Sequence, residues 1–165
     1  NEVPVVSVVM PVRHATQHLE EAANSILSQS LVALELILVN DSAGDDDAAE
    51  MNRILATLEA ADTRVRVLHT SVHDDTHLSS ASRIARALNQ GVRAAKAELV
   101  ARMDSDDVAH PDRLRRQLLY LTHWPDIDVV GAGVEVFHTE DVGGGRVVSH
   151  PASWRGTAWG TDVDL

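Results

Sequence analysis

The chain has 165 residues, enough for one domain with a core of its own, and 44% of them are hydrophobic, an ordinary share for a globular fold. Against 14 basic residues stand 25 acidic ones, giving a formal net charge of −11. That balance argues against a nucleic-acid partner, whose affinity comes from neutralising phosphates with Lys and Arg. An acidic protein binds phosphate strongly through a metal ion or through backbone N–H groups. Cysteine is absent, so disulfides and thiolate-bound metals are excluded. No apolar stretch approaches the ~18 residues of a membrane span, and no basic run suits an anionic membrane surface. Asn1-Glu2 is not the basic start of a signal peptide, and the missing initiator Met points to a chain processed or cut from something longer. The compartment is left open, with the cytoplasm or the cytoplasmic face of a membrane as the expectation.

Val3 to Val12 is almost continuously apolar and stops at Pro11, which predicts a fully buried central strand. Thr16 is placed to cap the helix that follows. Leu19, Ala22, Ala23, Ile26 and Leu27 then fall on one helical face. Leu34 to Val39 is a second strand, ending in the turn formers around Asn40-Asp41-Ser42-Ala43-Gly44. Asp45, Asp46 and Asp47 fit the first turn of a helix, where the macrodipole favours anions, and Ala48, Met51, Leu55 and Leu58 supply its buried stripe. Arg64 to Leu68 alternates Arg and Val, the pattern of a half-exposed strand near an edge.

Thr70 to Ser80 is polar and predicts a loop. His73 and His77 within it have the spacing of a zinc pair on a helix, but the segment is loop-like and lacks the companion Glu, so an exposed loop is expected. Ile84, Ala87, Leu88, Gly91, Val92 and Ala95 form a further helical stripe. Leu99 to Met103 reads as a short buried strand. Pro111 marks a helix start, with Leu114, Leu118 and Leu121 facing inward. Ile127 to Phe137 reads as another strand, followed by Gly143-Gly144-Gly145, and no periodicity is visible from Ser149 onward. Trp124, Trp154 and Trp159 are expected to serve packing.

The strand of Leu99 to Met103 ends in Asp104-Ser105-Asp106-Asp107, three carboxylates within four residues. Two like charges ~4 Å apart cost about 4 kcal/mol at an effective dielectric near 20. Such a group is either a solvated acidic turn or a cation site. Its hard oxygens suit Mg or Mn rather than Zn or Cu. Strand–helix alternation with right-handed crossovers predicts an α/β fold, a Rossmann-like, mainly parallel sheet with helices on both faces. Ligands of such sheets bind beyond the carboxyl ends of the strands, where strand order reverses. Pro11, Asp41 and the Asp104 to Asp107 cluster all lie at carboxyl ends.

These residues resemble the family 2 glycosyltransferases, inverting enzymes of the GT-A fold. The resemblance runs from about Val6 to Val134. It is carried by Val6-Ser7-Val8-Val9-Met10-Pro11-Val12, Ser25-Ile26-Leu27-Ser28-Gln29-Ser30, Glu35-Leu36-Ile37-Leu38-Val39-Asn40-Asp41-Ser42 and Ala87-Leu88-Asn89-Gln90-Gly91-Val92. Its strongest segment is Ala101-Arg102-Met103-Asp104-Ser105-Asp106-Asp107 with His110-Pro111-Asp112-Arg113-Leu114. The resemblance implies that Asp41 accepts from the nucleotide base, and that Pro11 and Val12 line the base pocket. Arg83 falls where some members contact the base. Asp104 would lie near the ribose, and Asp106, with Asp104 beside it, would hold Mn or Mg bridging two phosphates. Asp107 and Arg102 would brace the turn, Arg102 through an ordinary salt bridge.

The implied activity is transfer of a sugar from a nucleoside-diphosphate sugar, UDP-sugar by family habit, to a hydroxyl of a carbohydrate, lipid or protein acceptor. One glycosyltransferase domain over 1–165, incomplete, is expected, with a nucleotide-sugar-binding core at 1–137 and an irregular tail at 138–165. Two departures stand out. Arg13-His14 replaces the common Tyr-Asn, and Ala97 replaces a Gly. The family's general base, an Asp in an acidic downstream motif, is echoed by Thr161-Asp162-Val163-Asp164-Leu165, at too short an interval from Asp106. Either a segment is missing or the echo is chance. The alternative is therefore a non-catalytic nucleotide-sugar-binding module lacking the base. A hydrolase using Asp104 and Asp106 as acid and base ranks low, because carboxylates on one turn are badly placed to flank a bond.

Overall fold

The two long apolar runs lie side by side as parallel strands, β1 (Val6–Val12) and β2 (Leu34–Asn40), with Val6 opposite Leu34 and Val12 opposite Asn40. The structure is a computed structural model and describes residues 3–14, 17–42, 46–70, 79–134, 138–142 and 145–149. Among these, the chain continues from β1 through α1 (Leu19–Leu27) to β2, then α2 (Ala48–Ala61), β3 (Val65–His69), α3 (Ser80–Ala94), β4 (Leu99–Arg102) and α4 (Arg113–His123). It ends in β5 (His138–Val142) and β6 (Gly145–Ser149). Two compact units are distinguished, Asn1–Arg116 and Gln117–Leu165.

The first unit holds a parallel sheet of order β3-β2-β1-β4. Both central strands are apolar at successive positions because both of their faces are covered. On one face Val6, Val8, Met10 and Val12, with Leu36 and Leu38, pack against α1, α2 and Leu114. On the other, Val9, Ile37 and Val39 meet Ala87 of α3. Each fully buried side chain of this kind contributes about 1.5–3 kcal/mol. Gly91 lets α3 sit close to the sheet, since a Cβ there would collide with the Val9 side chain. The result is the α/β, GT-A-type architecture expected, with helices on both faces.

One polar group is built into β2. Glu35 accepts from Ser7 Oγ (2.7 Å), the Lys96 backbone N–H (2.7 Å) and Arg66 Nη1 (2.8 Å). Ser7 Oγ in turn accepts from the Ala97 N–H (3.0 Å). Burial alone would push the Glu35 carboxyl up, but the hydrogen bonds from Ser7, Lys96 and Arg66 outweigh it and hold it below its usual value. The network ties three strands to the α3–β4 connection.

Several boundaries differ from expectation. β1 begins at Val6, with Val3 and Val5 exposed outside the ladder. It also runs through Pro11 rather than stopping there, Pro11 lying opposite Val39. The Val9 carbonyl accepts from Met103 N, on the β4 side. Pro11, two residues on, turns its donor-less nitrogen to that same side, where pairing has already ended at Val9 opposite Arg102. α1 starts after His18, which makes no side-chain cap; Thr16 lies outside the described residues. α2 starts at Ala48, so Asp46 and Asp47 precede the helix instead of filling its first turn, and Asp45 lies outside the described residues.

β3 is an edge strand, as its alternation predicts. β4 is not the fully buried strand expected. It is the other edge of this sheet and alternates half-buried and exposed residues, Val100 among the latter. No strand forms over 127–134, and Phe137 is outside the described residues. In the second unit, β5 and β6 instead make an antiparallel hairpin, His138 opposite Ser149, inside the stretch expected to be irregular. His73, His77, Trp154, Trp159 and Asp162 also lie outside the described residues. Among those described, no helix is long and apolar enough to cross a membrane.

Candidate functional site

Strand order reverses between β1 and β4, and a cleft of about 620 Å³ opens past their carboxyl ends. Pro11, Val12, Asp41, Arg83, Asp104 and Asp106, all singled out in the sequence, line it together. Arg13, His14, Ser80, Ile84, Ala87, Arg102 and Ser105 complete the walls. Three separate turns and the first half of α3 thus meet at one place.

The β1 turn carries Arg13 and His14. His14 takes a φ of 50°, in the left-handed region that side chains other than Gly seldom adopt. Arg13 Nε donates to His14 Nε2 (3.0 Å), and His14 Nδ1 stands 3.6 Å from Asp47 Oδ1. The pair that departs from the family pattern is therefore part of the cleft wall.

The β2 turn is locked by Asn40. Its Oδ1 accepts from Ser42 N (2.9 Å) and Ser42 Oγ (2.6 Å), and its Nδ2 donates to Asn52 Oδ1 (2.9 Å). Asp41 N donates to the Val12 carbonyl (3.0 Å), which fixes the backbone beside β1. The Asp41 side chain is only 7% exposed. Its Oδ1 accepts from Thr70 Oγ1 (2.6 Å) and Arg86 Nη2 (2.7 Å), while Oδ2 lies 4.0 Å from Arg13 Nη1.

The β4 turn is different. Met103 is buried and its N–H donates to the Val9 carbonyl (3.1 Å). Asp104 follows, 41% exposed, with Arg102 Nη2 at 2.8 and 3.0 Å from its two oxygens. Arg102 is thus the ordinary salt-bridge partner expected of it. A pair this exposed is worth at most about 1 kcal/mol. Asp106 and Asp107 are exposed, and Asp107 N donates to the Asp104 carbonyl (3.4 Å). Burial, then the charges of Asp106 and Asp104, push the Asp107 carboxyl up, against the opposing pull of Arg113 and Arg102. Arg113 braces the turn from behind, donating to the Arg102 carbonyl (2.8 Å) and to Met103 Sδ (3.0 Å). Burial pushes its guanidinium down, with Asp107 and Asp104 working the other way.

Among the described residues no group of three or more His, Asp or Glu side chains converges on one point. Asp104 and Asp106 offer hard oxygens on an open turn in a locally negative field. That donor set fits Mg or Mn completed by water and ligand oxygens, the usual coordination where phosphates are bound. It does not fit an ion enclosed by protein alone.

Sequence reasoning missed Thr70 and Arg86. The signal for Arg86 was its place one turn after Arg83 on the same helix, together with the need of any buried Asp for a cation. Thr70 carried none, being simply the residue after β3.

The family model described as glycosyl transferase family 2 matches residues 7–145. The chain is 30% identical over 134 residues to the O-antigen biosynthesis glycosyltransferase WbnJ of Escherichia coli, covering 81% of this chain and 48% of that protein. It is 31% identical over 126 residues to the glycosyltransferase GlyG of Streptococcus pneumoniae serotype 4, covering 76% and 38%. The chain thus spans about half, or less, of the length of these relatives. Among solved structures, the mannosyltransferase PcManGT of Pyrobaculum calidifontis, in complex with GDP-Man and Mn2+, matches at TM-score 0.56 and 22% identity, over 81% of this chain and 36% of that one. S. aureus TarS 1-349 in complex with UDP-GlcNAc matches at TM-score 0.53 and 18% identity, over 72% and 31%.

Proposed function

The chain belongs to glycosyl transferase family 2, and we propose on that footing that it takes a nucleoside-diphosphate sugar into the cleft and transfers the sugar, with inversion, to an acceptor hydroxyl. The observation that carries this reading is the meeting of Pro11, Val12, Asp41, Arg83, Asp104 and Asp106 in one cleft at the reversal of strand order. The nucleotide-sugar-binding core is residues 1–137 of a glycosyltransferase domain. Pro11 and Val12 flank the base, Asp41 accepts a hydrogen bond from it, and Arg83 approaches it from α3.

Asp104 lies toward the ribose, and Asp104 and Asp106 are the residues that would hold Mn or Mg. When bound, the cation supplies Lewis-acid stabilisation of the charge that builds on the departing diphosphate. Arg102 neutralises Asp104 in the meantime, and Arg113 keeps the turn in place. The acceptor proton must pass to a carboxylate on the opposite side of the sugar; the catalytic base is unassigned, the echo at Asp162 standing at too short an interval from Asp106. The acceptor class is a carbohydrate, lipid or protein hydroxyl. UDP is the expected nucleotide, and the GDP-Man bound by PcManGT makes GDP the competitor to test.

Calorimetric titration with UDP and GDP, with and without manganese, tests the reading. Binding of one nucleotide that strengthens at least tenfold with the metal is expected. No binding, or binding indifferent to manganese, would overturn it. Sugar release to a hydroxyl acceptor from the matching donor then separates a transferase from a module that only binds.

A further inference from the structure

We propose that Arg86 and Thr70 are positioning residues that hold Asp41 in the one orientation from which it meets the edge of a nucleobase, and so set which bases the cleft accepts. This rests on the donor reading above and extends it to residues outside the cleft wall. Both donors converge on one oxygen. Thr70 Oγ1 and Arg86 Nη2 reach Asp41 Oδ1 at 2.6 and 2.7 Å. They come from two different places, the residue just past β3 and the second turn of α3, so the carboxylate is gripped from two directions. Rotation about its Cβ–Cγ bond would break both contacts at once. Oδ2 is thereby directed toward Arg13, which lines the cleft.

An ionised carboxylate only accepts. Held rigidly, it favours a base edge that presents a ring N–H, as uracil and guanine do. It opposes one that presents a ring acceptor, as cytosine does, because two facing acceptors in a buried site leave both unsatisfied. A loosely held carboxylate could turn aside and would discriminate less. Arg83 and Arg86 are successive turns of one helix with separate tasks. Arg83 borders the cleft, whereas Arg86 acts through Asp41.

The test is titration of wild type, Arg86→Met, Arg86→Lys and Thr70→Val with UDP, GDP and CDP in the presence of manganese. Wild type is expected to bind UDP or GDP at least tenfold more tightly than CDP. In Arg86→Met the tighter nucleotide loses roughly tenfold while CDP is held much as before, so the preference collapses. Arg86→Lys restores part of it, and Thr70→Val moves the same way by less. Equal losses for all three nucleotides would mean a purely structural role and overturn the inference, as would an unchanged preference. A wild type that binds UDP or GDP without preference over CDP overturns it too, leaving the donor reading intact. A wild type that binds none of the three removes the donor reading and this inference together. Circular dichroism checks folding, and if Arg86→Met does not fold, Thr70→Val decides.

Discussion

Strands β2 and β4 each hand an aspartate to the same cleft, and they do so in opposite ways. β2 lies between two neighbours, and all seven of its residues are buried. Its two carboxylates are held by donors from the protein itself, Glu35 within the strand through both oxygens and Asp41 just past it through Oδ1. β4 lies at an edge, is four residues long and half exposed. Its turn carries Asp104, Asp106 and Asp107, with far fewer donors for a larger charge. A buried carboxylate must be satisfied by the fold or the fold fails. An exposed cluster can leave its charge to be balanced from outside. In the function proposed above, the first kind of aspartate would read a base edge and the second would recruit a cation.

This contrast can be broken at either end. The largest effect is expected from Asp106→Asn. Transfer should fall about a hundredfold or more, and the manganese-dependent part of UDP binding should vanish, while the melting temperature stays put because an exposed residue is changed. Asp41→Asn should do the reverse in stability. It strips the charge from a buried partner of Arg86 and should lower the unfolding free energy by about 2 kcal/mol in urea titrations, along with nucleotide affinity.

A third test uses acid. The Glu35 carboxyl sits lower in the fold than its usual 4.5. Its contribution to stability is therefore fully present above that value and drains away as pH falls toward the lowered one. Chemical denaturation below pH 5 should show this loss, and Glu35→Gln should flatten it. The smallest effect is expected from Asp107→Asn, which removes a charge opposed by burial and by Asp106 and Asp104. Its melting temperature should rise slightly at pH 7, the only one of these substitutions to stabilise.

The same contrast governs what could be read in advance. β1 and β2 were legible because both faces are covered and all but Ser7, Glu35 and Asn40 of their residues are apolar. The Asp104 to Asp107 cluster was legible because its members are neighbours in sequence. The grip on Asp41 was not, because Thr70 and Arg86 lie 29 and 45 positions away and only the fold brings them close. β4 was misjudged because a short, largely apolar run such as Leu99 to Met103 looks alike whether one neighbour covers it or two. The run from Ile127 was misjudged similarly, since apolar content alone cannot say whether a ladder partner is at hand. The family resemblance supplied roles that no spacing could, and it left Arg13 and His14 as the pair for which only geometry could speak.

Pro11 has a consequence for why there is room for a ligand at all. Where β1 could have gone on zipping to β4, its ring leaves a seam that cannot close, and the two strand ends part like a lapel. Valine at this position would return the missing amide and invite the seam to stitch one step further, narrowing the mouth without touching any charged residue. A single absent hydrogen thus helps to keep the doorway ajar.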